Sequence, residues 1–138
     1  MKIKDKSVVI LKKAEKLALA KNPDLGQVYH LLNAAADLGN SDANYAIATW
    51  YLHGKYLRKD VKKGVSFLLI AIEKDHPSAL FDMAICYEKG LGIRSNKRKA
   101  FECYLKAFLY GDIKSAFEVG RCYYYGIGVS KNRKLADI

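Results

Sequence analysis

The sequence is poor in proline, in acidic residues and in long apolar runs. Pro23 and Pro77 are its only prolines, so little in the composition interrupts helices. The opening segment, MKIKDKSVVILKKAEK, has an apolar run only from Val8 to Leu11, too short for the core of a secretory signal. No stretch approaches the roughly 20 apolar residues of a membrane span. The expectation is a soluble chain of the cytoplasm. Cys86, Cys103 and Cys122 form no C-x-x-C pair, which argues against a zinc site and for buried, reduced thiols. His30, His53 and His76 make no pair at metal-ligand spacing. Patterns such as G-x-S-x-G, H-E-x-x-H and the Walker loop are missing. No catalytic residue, metal or cofactor is expected. Acid is scarce too: 14 Asp and Glu against 24 Lys and Arg leave a net charge of +10. Such a surface favours anionic partners, or simply keeps the chain soluble.

What is present is a period. Tyr51, Tyr87 and Tyr123 stand 36 residues apart, as do Gly54, Gly90 and Gly126, and Asp60, Asn96 and Asn132. Stepping backwards, Asp60 leads to Asp24, Leu68 to Leu32 and Ala71 to Ala35. A fixed period of this size marks a solenoid of stacked supersecondary units. It also disposes of a tempting motif. Gly90-Leu91-Gly92 with its basic neighbours looks like a phosphate loop, but no third glycine follows. The same turn returns at Gly126-Ile127-Gly128, so it is scaffold.

Each unit reads as two helices. The first is predicted over 42–53, 78–89 and 114–125, with small residues at Ala48, Ala84 and Gly120 where a neighbour comes close. Glycine ends it. Asp24, Asp60, Asn96 and Asn132 are placed to cap the second helix, which should run over 24–38, 60–74 and 96–110. Gly39 and Gly111 stop two of these, and Asp75 takes that place in the third. An earlier helix, 6–20, lacks the glycine turn and fits an atypical cap. The expected organisation is one domain over 1–138: a capping repeat at 6–40, full repeats at 41–76 and 77–112, and a partial repeat at 113–138. The last repeat reaches only the first residues of its second helix. An uncovered apolar face is expected there, from a trimmed or frayed end or for a partner to cover.

The segments SAFEVGRCYYYGIGVSKNRKLA (115–136) and ALFDMAICYEKGLGIRSNKRKA (79–100) resemble the Sel-one-like repeat family, close kin of tetratricopeptide repeats. ANYAIATWYLHGKYLRKDVKKG (43–64) departs, with Tyr56 for the second glycine of the turn and Gly64 for an alanine. The resemblance covers 6–138. It implies an all-α, right-handed superhelical solenoid of stacked antiparallel helix pairs, about three and a half repeats long. It further implies a non-enzymatic adaptor that holds a partner protein or peptide, acidic if charge governs the choice, in a concave groove. By analogy with tetratricopeptide packing the groove residues are Tyr45, Thr49, Leu52 and His53, then Phe81, Ile85, Glu88 and Lys89, then Phe117, Arg121, Tyr124 and Tyr125. Tyr45, Phe81 and Phe117 recur in phase and read equally as packing residues. Arg121, Tyr124 and Tyr125, with His53 and Lys89 beside them, vary most and carry the specificity reading.

A second feature is basic. Arg58, Lys59 and Lys62, then Arg94, Lys97 and Arg98, then Lys131, Arg133 and Lys134 cluster where each second helix begins. Cations are mildly unfavourable at a helix N-terminus, so local helix energetics do not account for them. Lys63 and Lys99 match a lysine common in the family. Two other functions compete with the adaptor: a small inhibitor or immunity-type protein that neutralises one enzyme or toxin, and nucleic-acid binding along the basic edge. No motif of a known nucleic-acid fold supports the latter.

Overall fold

The computed structural model describes residues 2–137, and among these it has eight helices and no strand. They are α1 (Ile3–Ala18), α2 (Leu25–Asp37), α3 (Ser41–His53), α4 (Val61–Ile72), α5 (Pro77–Lys89), α6 (Lys97–Leu109), α7 (Lys114–Tyr125) and α8 (Arg133–Ala136). The predicted helices are all found, with ends shifted by a few residues. The largest shift is at the start: α1 begins at Ile3 rather than Lys6. The chain divides into two compact units, 1–71 and 72–138.

The predicted caps are in place. Asp24, Asp60, Asn96 and Asn132 each accept the backbone N–H three residues on, at 3.0 to 3.1 Å. First helices carry caps that the sequence reading overlooked. Asn40 accepts from the N–H of Ala43 at 2.9 Å, and His76 does the same for Ala79 through Nδ1 at 3.1 Å. Histidine is not a usual cap residue, so the sequence pattern does not mark His76 as one.

The turn between paired helices is the same three times. Gly54, Gly90 and Gly126 take φ of 70 to 71°, and their N–H groups return to the helix. The next N–H bonds to Trp50, Cys86 and Cys122 respectively. The cap residue then donates its own N–H to Tyr51, Tyr87 or Tyr123 at 2.8 to 2.9 Å. Tyr56 keeps this geometry despite its side chain. Its φ is 59°, against 68° for Gly92 and Gly128. The strain of a left-handed tyrosine, about 1–2 kcal/mol, is offset by its ring, which packs 6.0 Å from those of Tyr29 and Trp50. Asp75 likewise adopts φ 56° where Gly39 and Gly111 stand in other copies.

In the first unit the core joins Leu11 and Ala14 of α1 to Val28, Leu32 and Ala35 of α2 and to Ala43, Ile47, Trp50 and Tyr51 of α3. Gly64 is the second departure from the pattern. A Cβ there would lie 2.8 Å from the Leu52 side chain and 3.1 Å from the Ala48 carbonyl, so Leu52 occupies the space an alanine would use. In the second unit Leu80, Met83, Ala84, Phe101, Tyr104, Ala107 and Cys122 are buried. Lys63 lies over the Tyr51 ring and Lys99 over Tyr87, at 5.1 and 5.6 Å, so the family lysine has a packing role.

Gly128 seats the last turn on the repeat before it. A Cβ at this position would meet the Lys97 carbonyl oxygen at 2.0 Å and the Arg98 nitrogen at 2.9 Å. Gly111, at φ 108°, has nothing within 4 Å of its Cβ position. The two alanine variants therefore separate strain from collision. Gly111→Ala should cost about 1–3 kcal/mol from backbone strain alone. Gly128→Ala should cost more, since backbone must also move. Urea unfolding followed by far-UV circular dichroism measures both; Trp50, the single tryptophan, lies in the other unit and reports poorly on this one. Equal costs would show that the contact at Gly128 is unimportant.

Candidate functional site

The proposed groove residues fall on first helices, as the period requires. In the first unit Tyr45, Thr49 and Leu52 are half-buried on α3 and His53 is exposed. The Thr49 hydroxyl donates to the Ala46 carbonyl at 2.7 Å, and Leu52 fills the space beside Gly64. In the second unit Phe81, Ile85 and Glu88 are half-buried on α5 and Lys89 is exposed. On α7, Phe117, Tyr124 and Tyr125 are exposed at 74%, 41% and 65%, while Arg121 is half-buried.

Groove positions of successive repeats touch in the second unit. Lys114 at the start of α7 lies over the Phe81 ring, 4.5 Å from its centroid. Tyr104 packs edge-on against the same ring at 5.8 Å. Arg121 donates to Glu88 Oε1 at 2.6 Å through Nη2 and to Glu118 Oε2 at 2.7 Å through Nε. The Tyr104 hydroxyl donates to the same Glu88 oxygen at 3.0 Å. Arg121 is thus clamped between two carboxylates, one from the preceding repeat. Sequence reasoning singled out Arg121 and Glu88 but not their pairing, nor Tyr104 and Glu118. The signal was available: opposite charges 33 residues apart, three short of a full period, on neighbouring first helices.

Burial pushes the Glu88 carboxyl up, but the hydrogen bonds from Arg121 and Tyr104 and the charges of Arg121 and Lys97 outweigh it and hold it below the ordinary glutamate value. Burial first, then the Glu88 carboxylate, raises the Tyr104 phenol. Burial also pushes the Cys103 and Cys122 thiols up to about 11 and raises Cys86, so these thiols are held as poor nucleophiles. Among the described residues no group of His, Cys, Asp or Glu is placed to hold a metal ion, and no helix is long and apolar enough to cross a membrane.

Every residue of the basic edge is exposed: Arg58, Lys59 and Lys62 in one unit, Arg94, Lys97, Arg98, Lys131, Arg133 and Lys134 in the other. Lys97, Arg98 and Arg133 make local contacts. Lys97 Nζ donates to the Glu88 carbonyl at 2.6 Å, satisfying an end group of α5. Arg98 lies 3.6 Å from Glu102, an exposed pair of little net worth. The Arg133 guanidinium sits 4.7 Å over the Tyr124 ring, which stands edge-on to Tyr125 at 4.8 Å. Phe117, Arg121, Tyr124 and Tyr125 line a depression of about 560 Å³.

Because the folded Glu88 carboxyl titrates below its unfolded value, its contribution is present above the unfolded value, about 4.3, and lost as pH falls through the folded one. Glu88→Gln should cost about 1–3 kcal/mol at pH 7, the usual worth of hydrogen bonds to a charged group. It should also shrink the difference in urea midpoint between pH 7 and pH 3. An unchanged difference would show that the clamp contributes nothing to acid sensitivity.

The fold has close counterparts among solved structures. A protective antigen of uropathogenic Escherichia coli with an SLR fold superposes with a TM-score of 0.88 at 22% identity, over 94% of this chain and 28% of its own. A Sel1 repeat protein from Oxalobacter formigenes superposes at 0.82 with 25% identity, over 94% of this chain and 38% of its own. Helicobacter pylori cysteine rich protein B superposes at 0.70 with 17% identity, over 82% of this chain and 91% of its own. The chain thus spans well under half the length of the first two. No curated protein matches the sequence. The Sel1 repeat pattern matches residues 41–76, 77–109 and 113–136. The chain belongs to the Sel1 repeat family, all-helical solenoid proteins that are generally protein-interaction scaffolds and typically not enzymes.

Proposed function

We propose that this protein is an interaction scaffold that holds an acidic peptide segment of a partner protein on the exposed aromatic ridge of α7. The observation that carries this reading is the ridge itself. Phe117, Tyr124 and Tyr125 expose large rings in positions where α5 carries Phe81, Glu88 and Lys89. Surface rings of this kind, with an arginine among them, are the usual anchors of interfaces. The clamp on Arg121 supports the reading by holding the guanidinium in one place, so little side-chain entropy is lost on binding. Its charge is largely answered by Glu88 and Glu118, and the preference for acid comes instead from Arg133 beside Tyr124 and from Lys89 and Lys114. The partner-binding role of the remaining groove residues follows the same reading, with Tyr45 and Phe81 contributing more to packing than to contact.

Because Phe117 and Tyr125 are exposed, replacing them should leave the fold intact. Affinity capture from the native lysate with the wild type and with Phe117→Ala/Tyr125→Ala, each at low and high salt, tests the ridge. The double variant should lose the captured partner by about tenfold or more, the usual effect of removing two anchors. High salt should weaken wild-type capture without abolishing it, since apolar contact remains. Capture that survives the double substitution unchanged would overturn the ridge assignment. Capture of nucleic acid in place of protein, with a steep loss in salt, would shift the function to the basic edge.

A further inference from the structure

The first helices of the three repeats start at one position filled by three different side chains. Asn40, His76 and Asp112 stand 36 residues apart. The Asn40 side chain accepts the N–H of Ala43 at 2.9 Å, and the Asp112 carboxylate accepts the hydroxyl of Ser115. Between them, His76 accepts the N–H of Ala79 at 3.1 Å through Nδ1. That bond fixes the tautomer, with Nδ1 bare and the proton on Nε2. Ala79 is fully buried, and its N–H is one of those at a helix start that have no partner within the helix. His76 is half-buried and extended, at φ −63° and ψ 116°, and Pro77 after it disfavours a helical alternative. The backbone therefore keeps the imidazole at the end of α5.

We propose that His76 is a pH-sensitive cap whose protonation loosens the first turn of α5. Histidine is the side chain that ordinarily takes up a proton near neutrality, at about pH 6.5. A proton on Nδ1 turns the acceptor of the Ala79 N–H into a donor that faces it. The buried N–H then loses this partner, and the imidazolium lies at the positive end of the helix dipole, where a cation is unfavourable. The neutral form is the one that caps, so its stabilisation is present above the histidine range and lost as pH falls through that range. Asn40, at the same place on α3, has no proton to gain there. The charged groups on the segments that meet at this end of α5 are Lys74 and Asp75 before His76, Asp82 along the helix, Lys106 of α6, and Asp112 and Lys114 at the start of α7. Lys106 lies 3.7 Å from Asp75, and Lys114 lies over the Phe81 ring. Carboxylates and ammonium groups ordinarily keep their charge between pH 7.5 and 5.5, so the change in this window belongs to the imidazole. The window also lies above the one in which Glu88 loses its charge.

Backbone hydrogen exchange followed by NMR on the full chain at pH 7.5 and 5.5, corrected for the intrinsic pH dependence of exchange, tests the cap. Protection of the Ala79 amide should fall about fivefold to tenfold at pH 5.5, the usual worth of a cap together with a misplaced cation. Protection of the Ala43 amide, under Asn40, should hold. The imidazole nitrogen signals of His76 should show Nδ1 bare at pH 7.5 and protonated at pH 5.5. His76→Asn places the α3 cap on α5 and should keep Ala79 equally protected at both pH values. The switch is overturned if Ala79 protection in the wild type does not change, if Ala43 loses protection to the same degree, or if Nδ1 already carries the proton at pH 7.5. It is also overturned if His76→Asn shows the wild-type fall. The first three outcomes are read on the wild type and do not depend on how well the variant folds.

Discussion

Each repeat hinges on one backbone hydrogen bond, from the N–H of the cap residue to the carbonyl of the framework tyrosine nine positions earlier. It recurs at Asp60 to Tyr51, Asn96 to Tyr87 and Asn132 to Tyr123. The bond closes a turn that passes through two left-handed residues and delivers the cap side chain to the start of the next helix. Orphan groups at the end of one helix and the start of the next are thus satisfied within a single short loop. The last turn must be thin where it rests on the repeat before it, and the contact of Gly128 with the Lys97 carbonyl shows how thin. Period, caps and stacking follow from that geometry.

Electrostatics then distinguishes copies that the backbone makes alike. Ile85 and Arg121 hold the same place in their repeats, as do Glu88 and Tyr124, and no rule of the fold demands charge at either. Yet the Glu88 carboxylate accepts from both Arg121 and Tyr104, and Arg121 reaches Glu118 as well. A half-buried charge is tolerable only when answered in this way. The clamp makes one arginine a fixed part of the surface and leaves the neighbouring rings as its adaptable part. The basic edge divides similarly. Lys97 and Arg133 have local partners, so the excess of positive charge is less idle than its place at helix N-termini suggests.

α7 therefore carries two unlike faces. One bears large exposed rings around a fixed guanidinium; the other is a ledge of small and aliphatic side chains over a narrow cavity. Both involve α7, and Ala116 and Gly120 border both cavities.

The sequence by itself determined the period, the helix pairs, the glycine turns and four of the caps. These are local: a glycine at positive φ or an Asn three residues before a waiting N–H acts within one loop, whatever surrounds it. It also indicated that Asp75 takes the place of a glycine, though only its φ of 56° shows how. Tertiary structure decided the rest. That Tyr56 holds a left-handed turn depends on the ring of Trp50 and on that of Tyr29, 27 residues earlier in the chain. That Arg121 is clamped and not free depends on Glu88, 33 residues away, and on Tyr104 behind it. Spacing brings Arg121 and Glu88 onto neighbouring first helices, but the clamp itself is made by side chains that meet only when one helix is laid against the next.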